Sequence, residues 1–60
     1  MNNLIQFENI EVGERFHDAA TAEDYAKVCN NAAERLIGGN YHSGDLMTFE
    51  PTELVQLINN

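Results

Sequence analysis

Four side chains of this 60-residue chain have the chemistry to bind a metal ion: His17, Cys29, His42 and Asp45. Zinc sites normally contain a close pair such as Cys-x-x-Cys or His-x-x-x-His, because one local loop presents two ligands to the metal. Only His42 and Asp45 approach that spacing. The sequence therefore predicts no metal site.

The same residues offer little to catalysis. Cys29 with His17 or His42 as its base would be the pair for nucleophilic chemistry, but no oxyanion motif accompanies them, and so short a chain has little room for a substrate pocket. Gly38-Gly39-Asn40 lacks the Lys-Ser/Thr continuation of a phosphate-binding loop. We predict a non-enzymatic protein without a cofactor, in which Cys29 is a buried thiol and the histidines are exposed loop or strand-end residues.

Acidic side chains dominate the charge. Ten Asp and Glu residues stand against three Lys and Arg, which gives a formal net charge of −7. Direct nucleic-acid binding needs clustered basic residues that displace counterions from phosphates, and an anionic membrane surface would repel the chain. The favoured partner is a protein with a basic surface, because opposite fields speed encounter and docking. Lys27 and Arg35 are expected to keep their charges at the surface or to pair with nearby acids.

Six acidic residues are the candidate partner-binding residues. Three are spaced three apart and three follow shortly after: Glu8, Glu11, Glu14, Asp18, Glu23 and Asp24. Gathered on one face of a compact barrel, such acids could imitate a run of DNA phosphates. The alternative is a solvated edge whose charges deter strand-to-strand aggregation.

The length allows one small domain, residues 1–60. Such a chain buries only about 60% of the surface that it exposes when unfolded, and homo-oligomerisation is a common remedy for so thin a core. No apolar run approaches the roughly 18 residues that span a bilayer, and the N-terminal Met-Asn-Asn-Leu lacks the features of a signal peptide. With a single cysteine, these features predict a cytoplasmic protein.

Residues 21–37 fit two secondary structures. Apolar residues at positions 25, 28, 29, 32 and 36 follow helical spacing, and Gly38-Gly39 suits the end of a helix. Asn30-Asn31 interrupts this stripe, however, and Asn tolerates turns better than helix interiors. The Asn pair favours a mainly β fold with a hairpin around it, although the local spacing by itself favours the helix. The alternative is an α+β fold with one helix at about 21–37 on a small antiparallel sheet.

Five short motifs follow one another along the chain. They are F-x-x-I-x-V-G-x-x-F at 7–16, Y-A-K-V at 25–28, A-A-E-R-L at 32–36, G-D-L-M-T-F at 44–49 and E-P-T-E-L-V at 50–55. In this order they resemble small uncharacterised acidic proteins of tailed bacteriophages and prophages. The resemblance covers residues 7–58. It implies a five-stranded antiparallel meander or half-barrel, with strands at about 14–18, 25–30, 33–37, 45–50 and 54–58, and on this ground we predict the mainly β fold. It transfers no catalytic residue.

The resemblance, the charge and the lack of a catalytic motif lead to one functional prediction. The chain is a phage-type protein that binds a bacterial host or defence protein in the host cytoplasm and inhibits or redirects it, in one form as a DNA mimic. Counter-defence proteins such as anti-CRISPR and anti-restriction proteins are often this small and acidic. The alternative is a structural or accessory phage protein that self-assembles through its sheet edges.

Overall fold

The computed structural model of the chain describes residues 4–38 and 40–58. The described residues form one antiparallel sheet and a short 3-10 helix at Phe7–Asn9. The strands are β1 (Leu4–Gln6), β2 (Arg15–Asp18), β3 (Glu23–Cys29), β4 (Ala32–Ile37), β5 (Tyr41–Thr48) and β6 (Leu54–Leu57). The prediction of a mainly β fold is confirmed.

The spatial order of the strands is β1-β6-β2-β3-β4-β5. Strands β2 to β5 form a meander in chain order, whereas β6 returns to pair with β2, where Leu57 lies opposite Phe16. β1 then pairs with β6, where Ile5 lies opposite Val55. The sheet is open, with β1 and β5 at its edges, so the expected five-stranded meander is corrected to six strands. The strand that the sequence did not predict is β1. It was missed because its three residues have no pattern of their own and are held in place by pairing with β6.

The alternative with a helix at about 21–37 is wrong. Strands β3 and β4 occupy this range and pair directly, with Tyr25 opposite Arg35. Asn30 and Asn31 form the turn between them, as expected for residues that tolerate turn conformations. The apolar stripe is not one face of the structure, because Tyr25 is buried whereas Cys29 is exposed. The expectation that Cys29 is a buried thiol is therefore also wrong.

Strand β5 is longer than the predicted strand at 45–50. It begins at Tyr41 and contains Gly44, which the sequence placed in a loop. The ladder between β4 and β5 shifts register between Glu34 and Leu36, and Gly44 has a φ of 83°. A bulge with a left-handed glycine therefore lies inside the strand. His42 is consequently a strand residue near the β4–β5 turn.

Four aromatic rings form the centre of the core on one face of the sheet. Phe7 stacks on Phe49 with ring centroids 4.9 Å apart, and Phe16 meets both rings edge-on, at 5.6 and 5.2 Å. The Tyr25 ring lies 5.1 Å from Phe49. All four side chains are buried. Aromatic pairs of these geometries stabilise a fold by about 0.5–1.5 kcal/mol each beyond their buried area.

Two connecting segments cover the aromatic cluster, residues 7–14 and 49–53, which we call the lid. They supply Phe7, Ile10 and Phe49 to the core. Backbone hydrogen bonds hold them side by side: the Phe7 N–H donates to Glu53 O at 2.8 Å, and the Glu8 N–H donates to Pro51 O at 3.0 Å. The core of this protein is therefore closed by loops rather than by a second sheet or an α-helix.

Lys27 attaches the lid to the sheet. Its side chain is only 5% exposed, and its Nζ donates to Phe7 O at 2.9 Å and to Ile10 O at 2.6 Å. The ammonium also lies 4.3 Å from the centroid of the Phe7 ring, a favourable cation–π position. In the described part of the chain, carbonyl oxygens and a ring hold this charge instead of a carboxylate. The expectation that Lys27 keeps its charge at the surface or pairs with an acid is therefore wrong.

Replacing Lys27 with Met tests this attachment. The variant keeps an apolar side chain but removes both donors, and the buried carbonyl of Ile10 then loses its ammonium partner. We expect the free energy of unfolding to fall by about 2–4 kcal/mol, as for the loss of buried hydrogen bonds to a charged group. Urea denaturation followed by circular dichroism measures the loss. Arg35→Met removes a charge at a partly exposed position and should lose much less; equal losses in the two variants would contradict the role of Lys27.

Candidate partner-binding surfaces

The lid carries one sign of charge. Its acidic residues are Glu8, Glu11, Glu14, Glu50 and Glu53, and it contains no Lys, Arg or His. Glu53 is half-buried and the other four are exposed. The hydrogen bond from the Glu8 N–H to Pro51 O brings Glu8 beside the segment that carries Glu50 and Glu53. The candidate residues predicted from the sequence included Glu8, Glu11 and Glu14 but not Glu50 and Glu53. These two could have been found from the sequence, because both lid segments contain acidic residues and no basic ones.

The lid glutamates are fixed by two turns of the same construction. Glu14 Oε1 accepts the Glu11 N–H at 2.9 Å, while the Glu14 N–H donates to Glu11 O at 3.0 Å. Glu53 Oε1 likewise accepts the Glu50 N–H at 3.1 Å, and the Glu53 N–H donates to Glu50 O at 3.1 Å. These reciprocal bonds resemble a capping box. They hold two of the lid carboxylates in defined positions on the surface.

Two of the predicted acids lie at the β2–β3 turn instead of on the lid. Asp18 is only 6% exposed, and its carboxylate accepts the Ala20 N–H at 3.4 Å and the Thr21 hydroxyl at 3.2 Å. Glu23 lies opposite Asp18 in the β2–β3 ladder and is half-buried. The carboxylate of Asp18 therefore stabilises its own turn and is not a free surface charge.

Asp24 lies on the face of the sheet opposite the aromatic core, since it is the neighbour of buried Tyr25 and side chains alternate along a strand. Its Oδ1 is 2.8 Å from His17 Nδ1 on the adjacent strand. The structure thus divides the six predicted acids among the lid, the β2–β3 turn and the outer face. Their role in partner binding stays a prediction.

All three strongly basic side chains are engaged inside the molecule. Lys27 is buried beneath the lid. Arg35 Nη2 donates to Asp45 Oδ2 at 2.7 Å, and this bond raises the pKa of Arg35; the expected pairing of Arg35 with an acid is confirmed. Arg15 Nη1 donates to Asn40 Oδ1 at 3.1 Å. The basic side chains therefore leave the lid charge uncompensated at its surface.

Glu34 fixes the bulge in β5. One carboxylate oxygen lies 2.7 Å from His42 Nδ1, and the other accepts the Gly44 N–H at 2.8 Å. The hydrogen bond from Gly44, followed by that from His42, lowers the pKa of Glu34 below its ordinary value of 4.5. The Ser43 hydroxyl adds a bond to Arg35 O at 2.6 Å. The bulge is therefore tied to β4 by side chains where the backbone ladder is interrupted.

The residues weighed as metal ligands or nucleophiles lie apart. His17 and His42 contact different carboxylates, those of Asp24 and Glu34. Cys29 lies at the β3–β4 turn, where its thiol donates to an Asn31 side chain at 3.2 Å. Within residues 4–38 and 40–58, no three His, Cys, Asp or Glu side chains are grouped to hold a metal ion, and no pocket is present.

The β4–β5 hairpin exposes large apolar side chains. Tyr41 is 73% exposed and Leu46 is 64% exposed, and Ile37 and Met47 are exposed as well. Ile37 and Tyr41 lie opposite each other in the ladder. Three of these residues lie on β5, which has one neighbouring strand among the described residues, and Ile37 is the last residue of β4. Sequence pattern cannot distinguish an edge strand from a central one when both are apolar.

Comparison of the chain with models of known protein families, with curated proteins and with solved structures gives no match. None of the described elements is a helix that is long and apolar enough to cross a membrane. Functional inference therefore depends on the geometry and charge of the surfaces described above.

The low pKa of Glu34 makes the bulge sensitive to acid. A carboxylate whose pKa is lowered in the folded state stabilises the fold above its unfolded pKa, and this contribution is lost as the pH falls through the folded pKa. We expect Glu34→Gln to lower the urea midpoint at pH 7, and we expect the difference from the natural chain to shrink at an acidic pH below the folded pKa of Glu34. Glu8→Gln, at an exposed lid position, is the control. A difference that is the same at both pH values would contradict this role of Glu34.

Proposed function

We propose that this chain is a small non-enzymatic protein of the phage type that binds a bacterial protein with a basic surface and inhibits or redirects it in the host cytoplasm. The observation that carries the proposal is the lid, which presents five glutamates and no basic side chain. The resemblance to small acidic phage proteins supports the same conclusion.

The distribution of charge suits recognition of a basic partner. The net charge of −7 attracts such a partner over a distance. The lid gives the field a direction because Arg15 and Arg35 bond residues outside the lid, and Lys27 is buried beneath it. Reciprocal turns hold Glu14 and Glu53 in place. Fixed charges lose less side-chain freedom on docking than mobile ones, so the affinity that they contribute is larger.

In one form of this proposal, the lid imitates the phosphates of DNA. A basic groove that binds closely spaced phosphates would also attract carboxylates held on a rigid turn. Asp18 and Asp24 do not contribute to the mimic, since one is buried and the other contacts His17. The mimic rests on the five lid glutamates. Competition between the chain and duplex DNA for the captured protein distinguishes this form from binding outside a DNA site.

A charge-removal series tests the proposed function. One variant removes three lid charges by combining Glu8→Gln, Glu11→Gln and Glu14→Gln. The Gln side chain at position 14 keeps an oxygen that can accept the Glu11 N–H. We expect the association rate with the captured bacterial protein to fall by about tenfold or more at low salt, with a smaller change in the dissociation rate. Surface plasmon resonance at two salt concentrations measures both rates.

The matched control adds the same amount of positive charge away from the lid. The three substitutions are at exposed positions in the β2–β3 turn and at the start of β5: Ala19→Lys, Ala20→Lys and Tyr41→Lys. A control that slows association as much as the lid variant would show that net charge alone matters, and unchanged binding of the lid variant would overturn the lid as the contact. Recovery of no specific protein from bacterial lysate would overturn the proposed function itself.

Self-assembly through sheet edges is a second candidate, favoured by the exposed apolar residues of β5. The bulge opposes it, because bulges interrupt an edge that would otherwise pair with another chain. If self-assembly is the function, the chain should form dimers or larger species at micromolar concentration. Sedimentation equilibrium measures the mass of the species in solution. A monomer throughout this concentration range would exclude self-assembly as the function.

A further inference from the structure

Among residues 4–38 and 40–58, no strand pairs with the outer edge of β5, which offers backbone groups that β4 does not use. The Phe49 N–H donates to Asn31 O at 2.9 Å, so the backbone groups of residue 49 point toward β4. Successive residues of a strand direct their N–H and C=O groups to opposite sides. The backbone groups of Met47 therefore point toward β4 as well, and those of Leu46 and Thr48 point toward the open edge.

The bulge limits how far this free edge extends. The Gly44 N–H is bonded to Glu34 at 2.8 Å, and the Asp45 N–H is bonded to the Ser43 hydroxyl at 3.1 Å. Neither is available to an added strand. The continuous stretch that can accept one is Leu46–Thr48, whose three side chains are all exposed. This stretch is uncharged and partly apolar.

Carboxylates stand at both ends of the stretch. Asp45 directly precedes the stretch, and its side chain is 63% exposed. Glu50 is also exposed and is separated from the end of the stretch by Phe49. Residues directly opposite each other in an antiparallel pair lie about 5 Å apart, within reach of a long side chain. A strand added here would place its flanking residues near these carboxylates, so basic flanking residues are favoured. The bond between Asp45 and Arg35 reduces this attraction at one end, and Glu50 retains it at the other.

We propose that the free edge at Leu46–Thr48 accepts an extended, basic segment of the partner protein as an additional antiparallel strand. The inference rests on the proposed function, because it names the form in which the basic partner makes contact. Backbone hydrogen bonds to Leu46 and Thr48 provide the attachment, and the carboxylates of Asp45 and Glu50 select for basic residues. Addition of a strand to an exposed sheet edge is a common mode of peptide recognition.

A second copy of the chain fits this edge less well. Antiparallel pairing of Leu46–Thr48 with itself about Met47 would set Asp45 opposite Phe49 of the second copy and beside its Glu50. Like charges at neighbouring positions destabilise such a pair, and each copy carries a net charge of −7. The carboxylates that attract a basic strand would therefore repel a second copy.

The test uses synthetic peptides and the full chain labelled with ¹⁵N. The probe is acetyl-Lys-Val-Lys-Val-Lys-Val-Lys-amide. The first control is the same peptide with a methyl group on every backbone nitrogen, which keeps the charge but removes the backbone hydrogen-bond donors. The second control is the peptide with Glu in place of every Lys, which reverses the charge. Hydrogen exchange of the Leu46 and Thr48 amides is measured by NMR at about 1 mM peptide, a concentration suited to weak binding. We expect the Lys-Val peptide to slow both amides by about tenfold and the two controls to leave them unchanged.

Two variants at one position test the backbone contact independently. Thr48→Pro removes a donor that β4 does not use, and Pro is tolerated where the N–H faces the open side of an edge strand. Thr48→Val keeps the donor. Peptide affinity should fall by about tenfold in Thr48→Pro and change by less than about twofold in Thr48→Val. If Thr48→Pro does not fold, the peptide comparison on the natural chain decides the matter.

The outcomes separate this inference from the proposed function. Equal binding of the methylated peptide, equal binding of the Glu peptide, or absence of protection would overturn strand addition by a basic segment. Protection that grows with protein concentration in the absence of peptide would show that a second copy occupies the edge. A bacterial protein captured equally by the natural chain and by folded Thr48→Pro would overturn the inference while leaving the proposed function intact.

Discussion

The fold depends on a lysine in its interior. Removing an ammonium from water costs several kcal/mol, and Lys27 offsets this with two carbonyl oxygens and the face of Phe7. Phe7 is the first residue of the 3-10 helix, and its carbonyl also accepts the Ile10 N–H, whereas Ile10 directly follows the helix. The ammonium thus joins the two ends of this short helix. Lys27 thereby fixes Phe7 over Phe16 and Phe49 and closes the aromatic cluster. This β3 side chain therefore acts together with the backbone bonds between Lys27 and residues 13 and 14 to position the first lid segment.

The charge of the lid is compatible with a folded chain for the same reason. Carboxylates gathered on a small surface repel one another and oppose compaction. The only strongly basic side chain beneath them is Lys27, and its ammonium is held where water screens it least. Its attraction for the lid carboxylates opposes their mutual repulsion without placing a positive charge at the surface. An acidic surface and a closed core can therefore coexist in a domain this small.

The sequence predicted the features that depend on local chemistry and missed those that depend on distant contacts. Asn30-Asn31 indicated its turn because Asn tolerates turn conformations, and this turn together with the resemblance led to the prediction of a mainly β fold. Lys27 looked like a surface residue, because the carbonyls that hold it lie 17 and 20 residues away. Glu50 joins the lid only through the packing of two loops. The exposure of Leu46 depends on β5 being an edge, a property of the strand order that no local pattern contains.

The two surfaces differ in what they can recognise. The lid attracts positive charge from any direction and sets no register, since carboxylates in water act over distances of about 8–10 Å. The edge of β5 sets a register through fixed backbone groups but is short, because Glu34 and Ser43 already bond the N–H groups at the bulge. An edge this short gives weak attachment, and a charged surface alone gives little specificity. A basic partner that meets both would gain a rapid encounter from the lid and a defined orientation from the edge, so binding by either surface alone should be weak, and selective binding needs both.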